Sequence, residues 1–443
     1  MKDREIMSPV KSIRGGAKPR HNKNTVDCKT VNMPAPSVIT VPMQQHIGAP
    51  CTPCVAVGDT VYVGTKIGDS DKFVSAPIHS GVSGKVTAIT TATLTNGVKC
   101  EAVQIENNGE GTLDPNLAVP IVEDEKQLIS AVREMGLVGL GGAGFPTHVK
   151  LMKQPDKPLD TLIINGAECE PYITSDYREC IEHPEDIMEG VYKLLEIMDF
   201  KQVIIAIEDN KPEAISILYD IAADGRDTEN RVRLMKLKSR YPQGAEKVLI
   251  YTTTGRKLPL GKLPADIGCV VMNITSVAAI GRYLKTGMPL TTKRLTVDGD
   301  AVAKPQNVTV TIGTSIREVI DFCGGFKDTA SKIIVGGPMM GFSVPDTDLP
   351  VLKQNNAILC FTESQAKLPP IENCIRCGKC ADACPMGLVP FHIAGALNRN
   401  DLETAQNLGA NYCMECGSCA FSCPSKRPIV QVMRATKQAL RNK

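Results

Sequence analysis

Residues 374–385, CIRCGKCADACP, and residues 413–424, CMECGSCAFSCP, are two copies of one pattern, C-x-x-C-x-x-C-x-x-x-C-P. The first copy holds Cys374, Cys377, Cys380 and Cys384 and closes on Pro385; the second holds Cys413, Cys416, Cys419 and Cys423 and closes on Pro424. Three thiolates at two-residue intervals wrap one metal-sulfur core only where the backbone curls tightly, which Gly378 and Gly417 permit. The alternative, a pair of zinc ribbons, uses cysteines in pairs, whereas each run here has three and then Cys-Pro. The spacing is that of cubane iron-sulfur clusters, and a chain with two of them carries electrons.

The runs resemble those of two-cluster bacterial ferredoxins. That resemblance implies that the fourth cysteine of each run ligates the other cluster. Cys374, Cys377 and Cys380 then pair with Cys423, and Cys413, Cys416 and Cys419 with Cys384.

With 443 residues, 42% of them hydrophobic, the chain is long enough for two to four domains with real cores. Of its 17 cysteines, eight lie in the cluster runs; without an export signal this usage points to a reducing compartment rather than to disulfides. No signal peptide is expected, because residues 1–24 are polar and basic with no apolar run behind them. The apolar stretch 267–280 is interrupted by Asn273, Thr275 and Ser276 and is too short to span a bilayer. The net charge of +2 implies no nucleic-acid partner. Lys2, Arg4, Lys11, Arg14, Lys18, Arg20 and Lys23, against Asp3 and Glu5, read as a solvated, partly mobile arm rather than a docking segment.

From residue 38 to about 107 short apolar runs alternate with glycine turns: GDTVYVGTKIGD (58–69), FVSAPIHSGVSGKVTAI (73–89) and KCEAVQIEN (99–107). This predicts a small all-β unit. It resembles the barrel-sandwich fold of biotinyl and lipoyl domains. Lys72 lies near the hairpin tip where those domains carry a modified lysine, but DSDKF (69–73) lacks their attachment sequence, so a packing or docking module is expected. Cys51 and Cys54 form half a metal site that neither Cys28 nor Cys100 completes, and read as ordinary thiols. His46 and His79 read as hydrogen-bonded turn histidines rather than ligands.

From about 120 to 285 helix and strand alternate. DEKQLISAVREMG (124–136) reads as a helix stopped by Gly136, TLIINGA (161–167), QVIIAIE (202–208), RVRLMKLK (231–238) and CVVMNI (269–274) as strands, and residues 183–198 and 211–224 as helices between them. The order predicts a mostly parallel sheet with a ligand crevice at its strand ends. Strands return at RLTVDGDAV (294–302), QNVTVTIGT (306–314) and KIIVGG (332–337), with a helix at SIREVIDFCGG (315–325), a small α+β unit. The terminal VQVMRATKQALRNK (430–443) reads as a basic amphipathic helix with a solvated face.

Residues 136–150, GLVGLGGAGFPTHVK, gather Gly139, Gly141, Gly142 and Gly144 before a predicted helix. Such a loop brings backbone N–H groups close to a phosphate. It does not follow a strand, so it fails the context for a dinucleotide fingerprint, and on its glycines alone a flexible loop stays open.

The longer string G-x-G-G-A-G-F-P-T is similar to the flavin loop of the flavin- and NADH-binding subunit of respiratory complex I. Asn165, Glu168 and Glu170 of NGAECEP, Gly244 and Glu246 of QGAEK, and Asn273 and Thr275 of MNITSVAAI resemble further segments of that family in the same order. Leu140, Ala167, Ala245 and Ile274 depart from it, each standing where the family has a charged residue. The module order settles the branch: an RGG arm, HIGAPCTPCVAVGD (46–59), the flavin-type domain, VGGPMMG (335–341) and twin cluster runs. Over nearly its whole length the chain resembles the RnfC family, the C subunits of Rnf electron transport complexes.

The resemblance implies a multidomain α/β plus β chain. A basic arm spans 1–37 and a barrel-sandwich β domain 38–110. A Rossmann-like FMN/NADH-binding α/β domain spans 111–288, a soluble-ligand-binding, β-grasp-like α+β unit 289–345, and a mainly helical ferredoxin-type domain with two 4Fe-4S clusters 346–443. FMN and NAD(H) are the further cofactors it implies. Phe145 would stack on a ring, with core packing as the plain alternative. Lys150 would meet flavin oxygens or phosphate, and Lys257 or Arg256 the dinucleotide phosphates; a solvated lysine is the alternative. Glu170 and Glu246 would accept hydrogen bonds from ribose or carboxamide groups. The expected function is that of the NAD(H)-reacting subunit, peripheral on the cytoplasmic face of the membrane, of a ferredoxin:NAD+ oxidoreductase. Its partners would be the complex's membrane and iron-sulfur subunits and, indirectly, ferredoxin. Two other readings are a microcompartment cobalamin reductase of the same architecture and a flavin-less electron-transfer adaptor.

Overall fold

A computed structural model describes residues 7–153 and 157–442. Its central sheet has five strands in the order Met7–Lys11, Val232–Leu237, Gln202–Glu208, Thr161–Gly166, Cys269–Asn273, all parallel. The three strands Gln202–Glu208, Thr161–Gly166 and Cys269–Asn273 are rich in Val, Ile and Leu, as suits strands covered on both faces. Leu162, Ile164, Val203 and Ile205 join one core with the Pro184–Ile197 and Ile274–Thr286 helices. Ile163, Ile204, Ala206 and Val271 join a second with Leu249 and Ile250 of the Glu246–Thr254 helix. Because the strands are parallel, the loops after Gly166, Glu208 and Asn273 emerge on one edge.

The outermost strand of that sheet corrects the expectation of a solvated arm. Met7–Lys11 pairs with Val232–Leu237, and Ile13, Ala17 and Thr25 are buried. Val31–Asn32 then pairs in parallel with Gln306–Thr311 of another sheet. The arm is a strap: its apolar and small residues alternate with basic ones, so its composition looks solvated while one side is packed. Lys2 and Arg4 of the expected arm lie outside the described residues.

The β unit is built from a four-stranded and a three-stranded sheet around Ile39, Val41, Ile67, Ile78, Val86, Val103 and Ile105. Lys72 at its tip is exposed and lies 3.9 Å from Asp71. Cys51 is buried against His46, Ser75 and Ala76, whereas Cys54 is exposed and turned to the Thr52 carbonyl, so the two thiols diverge. The imidazole of His46 accepts from the Ala76 N–H, and burial holds it neutral, down at about 4.

The α+β unit is a six-stranded sheet in which Ala357–Phe361 lies between Lys332–Val335 and Thr292–Asp298. The unit therefore reaches past the expected boundary at 345, because a strand donated from beyond the 335–341 glycine loop completes it. Its Ile316–Phe322 helix starts on a capping box between Ser315 and Glu318.

The cysteine segment repeats itself in backbone as well as in sequence. Arg376 and Glu415 have φ 55° and 59°, and Gly378 and Gly417 have 77° and 79°. Each run contains a short helix, Lys379–Asp382 or Ser418–Phe421, and is followed by a longer one, Pro390–Asn398 or Ile429–Arg441. The last helix is less solvated than expected. Ile429, Met433 and Thr436 are buried, and Lys437 donates to the Cys413 carbonyl at 3.1 Å and pairs with Glu415.

Candidate functional site

The glycine stretch forms a turn between the Glu125–Glu134 and Thr147–Leu151 helices, with Gly139 N–H bonded to the Phe145 carbonyl at 2.9 Å. Two buried lysines that no motif marks hold its carbonyls from behind. Lys353 Nζ donates to the Gly136 carbonyl at 2.7 Å and to that of Pro77 at 2.6 Å, and Lys293 Nζ donates to the Leu140 carbonyl at 2.9 Å. Burial depresses both amines, Lys353 to about 7 and Lys293 to about 8. Gly141, Gly142 and Ala143 are exposed, and their N–H groups make no backbone hydrogen bond of normal geometry among the described residues. A Cβ on Gly142 would meet nothing within 4 Å, whereas one on Gly141 would stand 2.5 Å from the Asn273 amide nitrogen. Bare, donor-rich backbone open to solvent fits the phosphate of a flavin nucleotide.

Asn273 ends its strand and caps the Ile274–Thr286 helix, accepting from the Thr275 and Ser276 N–H groups. Its amide donates to Asp176 at 2.7 Å, and the Thr275 hydroxyl donates to the same carboxylate at 2.8 Å. Asp176 carries no motif signal, yet it joins two of the expected residues. Asn165, at the end of the neighbouring strand, donates to the Gly244 carbonyl at 2.8 Å. Lys150 Nζ reaches Glu246 at 3.2 Å and the Val271 carbonyl at 3.0 Å. Phe145 is half-buried and Lys257 exposed. Arg256 forms a bidentate pair with Asp160 at 2.7 and 3.1 Å, so it is already engaged within the fold. The Leu140 side chain, one of the departures, is buried in the main core.

The NGAECEP segment runs on from the Thr161–Gly166 strand. Glu168 adopts a left-handed φ of 46°, its Oε1 accepts from the Asp176 N–H at 2.6 Å, and burial pushes its carboxyl up to about 7 against the pull of Lys23. Lys23, from the strap, donates to the carbonyls of Glu168 and Glu170 at 2.9 Å each, and to that of Ile173. For Glu170 the resemblance implies contact with ribose or carboxamide. Its buried carboxylate instead accepts from the Met339 N–H at 3.0 Å in the 335–341 loop and lies beside the Tyr241 hydroxyl. Burial raises it to about 7. Glu170 therefore belongs to the junction with the cysteine segment, a place that sequence alone does not reveal because Tyr241 and Met339 are distant in the chain.

In the cysteine segment Cys384, Cys413, Cys416 and Cys419 line one cavity with Leu388, Met414 and Met433. These are the four thiols that the crossed pairing assigns to one cluster. Burial raises the thiols of Cys384 and Cys413, and that of Cys419 to about 12, so ligation there must displace protons. Among the described residues no group of three His, Cys, Asp or Glu side chains is placed to hold a single metal ion. A ring of thiols around a cavity suits a polynuclear core. Cys380 and Cys423 are buried in the same small core, while Cys374 and Cys377 are exposed.

The two sites meet. Tyr241, Ala17 and Cys416 form a buried apolar contact with Cys169, Met339 and Met414, next to Glu168, Glu170 and the loop carrying Gly244. No helix is long and apolar enough to cross a membrane among the described residues.

Comparison with known proteins matches four domain families in succession. They are the RnfC barrel sandwich hybrid domain (residues 11–110), the Nuo51 FMN-binding domain (132–282), the SLBB domain (294–343) and the 4Fe-4S dicluster domain (371–431). The C subunit of the Na+-translocating ferredoxin:NAD+ oxidoreductase complex of Acetobacterium woodii is 43% identical, covering 97% of this chain and 97% of its own. Its counterpart in the proton-translocating complex of Clostridium ljungdahlii is 42% identical over 89% of this chain and 86% of its own. The corresponding protein of the ion-translocating oxidoreductase complex of Rhodobacter capsulatus is 39% identical over 97% and 83%. A crystal structure of an NAD+-reducing [NiFe]-hydrogenase aligns with TM-score 0.50 at 20% identity, covering 71% of this chain and 62% of that one, a likeness of fold. With such relatives over nearly all of its length, the chain belongs to the RnfC family, the C subunits of ion-translocating oxidoreductase complexes.

Proposed function

We propose that the chain is the NAD(H)-reacting, peripheral subunit of a membrane ferredoxin:NAD+ oxidoreductase. Electrons pass between NAD(H), FMN and two 4Fe-4S clusters, and membrane partners couple the transfer to ion movement. One observation carries this reading: an FMN-family domain and a four-thiol cavity share a buried junction at Tyr241, Cys169 and Cys416. FMN, when bound, links the two-electron chemistry of nicotinamide to one-electron carriers.

In this reading the N–H groups of Gly141 and Gly142 receive the flavin phosphate, and Lys293 and Lys353 keep the loop's carbonyls turned away from it. Asp176, Asn273 and Thr275 fix the adjoining wall. Lys150 and Glu246 hold each other at its edge, where Glu246 accepts from the dinucleotide and exposed Lys257 meets its phosphates. The thiol set without an exposed member, Cys384, Cys413, Cys416 and Cys419, is the inner cluster site. The set with exposed Cys374 and Cys377 faces the complex's other subunits, and the chain lies on the cytoplasmic side with its substrates.

Anaerobic addition of NADH, followed by visible absorption and low-temperature EPR together, tests the reading. Flavin bleaching with growth of cluster signals is expected. Intact clusters that do not respond to NADH would instead support the flavin-less adaptor.

A further inference from the structure

We propose that Tyr241 and the strap at Gly15 and Gly16 are positioning elements of the inner cluster, fixing it against the α/β domain and raising its reduction potential. This rests on the assignment of Cys384, Cys413, Cys416 and Cys419 to one cluster.

Tyr241 is 2% exposed, and its hydroxyl donates to the Cys416 carbonyl at 2.7 Å. The strap is stapled to the same residue by two backbone bonds, Ala17 N–H to the Tyr241 carbonyl at 2.7 Å and Tyr241 N–H to the Ala17 carbonyl at 3.1 Å. One residue earlier, Gly16 N–H donates to the Ala383 carbonyl at 2.9 Å. Gly15, at φ +71°, lies against the next peptide, where a Cβ would stand 2.9 Å from the Cys384 carbonyl oxygen. Tyr241 thus grips the second cysteine run and the strap grips the first. The residues gripped, Cys416 and the Ala383–Cys384 peptide, come from separate runs that line one cavity.

Reduction adds negative charge to a cluster, so dipoles and hydrogen bonds around its sulfurs set its potential. The Cys416 carbonyl, on the backbone of a residue assigned as ligand, puts the negative end of a peptide dipole close to the cluster site, and the phenol O–H bonded to it offsets that charge. Removing the hydroxyl leaves that dipole uncompensated, disfavours the reduced state and lowers the potential. The ring, packed on Ala17, Met339 and Met414, keeps the two domains in register.

The test is an anaerobic redox titration of the full chain, read by EPR, for wild type, Tyr241→Phe and Gly15→Ala. Wild type should show two cluster couples; if it does not, the cluster assignment itself fails. In Tyr241→Phe one couple should move to lower potential, its reduced-to-oxidised ratio at fixed potential falling about tenfold, ~59 mV for one electron, while the other stays in place. Gly15→Ala, which leaves the phenol intact, should disturb the same couple. Loss of that one cluster's iron and signal in Tyr241→Phe, with the other retained, supports the same placement. Unmoved couples in both variants, equal shifts of both couples, or two variants that move different couples would overturn the proposal.

Discussion

Lys353 is buried behind the glycine turn, where its amine satisfies two carbonyls from two different domains. Its proton affinity in the fold is depressed to about 7, so between about pH 7 and the ordinary lysine range the unfolded chain binds a proton that the folded chain does not. Stability must therefore rise with pH in that window. Urea midpoints compared between pH 7 and pH 9 should increase in wild type and increase less in Lys353→Met. That variant should also lose about 2–4 kcal/mol at pH 9 from two unsatisfied carbonyls. The two glycines of the turn give a sharper contrast. Gly142→Ala, with open space around it, should leave the thermal midpoint unchanged and weaken FMN retention on a desalting column. Gly141→Ala drives a methyl group into the Asn273 amide and should cost both. Asn273→Ala loses the helix cap and the bond to Asp176, about 2 kcal/mol together, measurable by urea denaturation. At this scale the sequence announces residues whose spacing is fixed by chemistry: the eight cysteines and the glycine string. Lys293, Lys353 and Asp176 stay invisible because each acts on a segment far away in the chain, with no local pattern to mark it.

Elements are legible where periodicity is strong. TLIINGA, QVIIAIE and CVVMNI form adjacent parallel strands because a run of β-branched residues with polar ends suits burial on both faces. The strap escapes a reading by composition for a physical reason. A five-residue edge strand needs only one partner, and Lys11 and Arg14 are exposed, so charge count hides its pairing. Likewise Ala357–Phe361 is an apolar run without a turn signal tying it to the sheet it completes. If the strap works as an element, a chain begun at residue 18 should show faster hydrogen exchange at the Val232–Leu237 amides than the full chain. It should also bind less iron after reconstitution. Unchanged exchange in that strand would mean the strap contributes little to the sheet edge.

Across the whole chain, the units are ordered so that the α/β domain and the cysteine segment share a buried contact. The order of the units can be read from motifs; their junction cannot. It is made by Tyr241, Met339, Glu170 and Cys416, which meet only in three dimensions. Cys416 touches this junction and Cys374 and Cys377 reach the surface, so the proposed function puts its carriers in the order nucleotide site, inner set, outer set. Rapid-freeze EPR after NADH addition to two variants decides that order. Cys377→Ala, which spoils the outer set, should leave an inner cluster that NADH reduces as quickly as in wild type. Cys416→Ala, which spoils the inner set, should leave an outer cluster that dithionite reduces but NADH reduces at least tenfold more slowly. Fast reduction by NADH of the outer cluster in Cys416→Ala, with slow reduction of the inner one in Cys377→Ala, would contradict it.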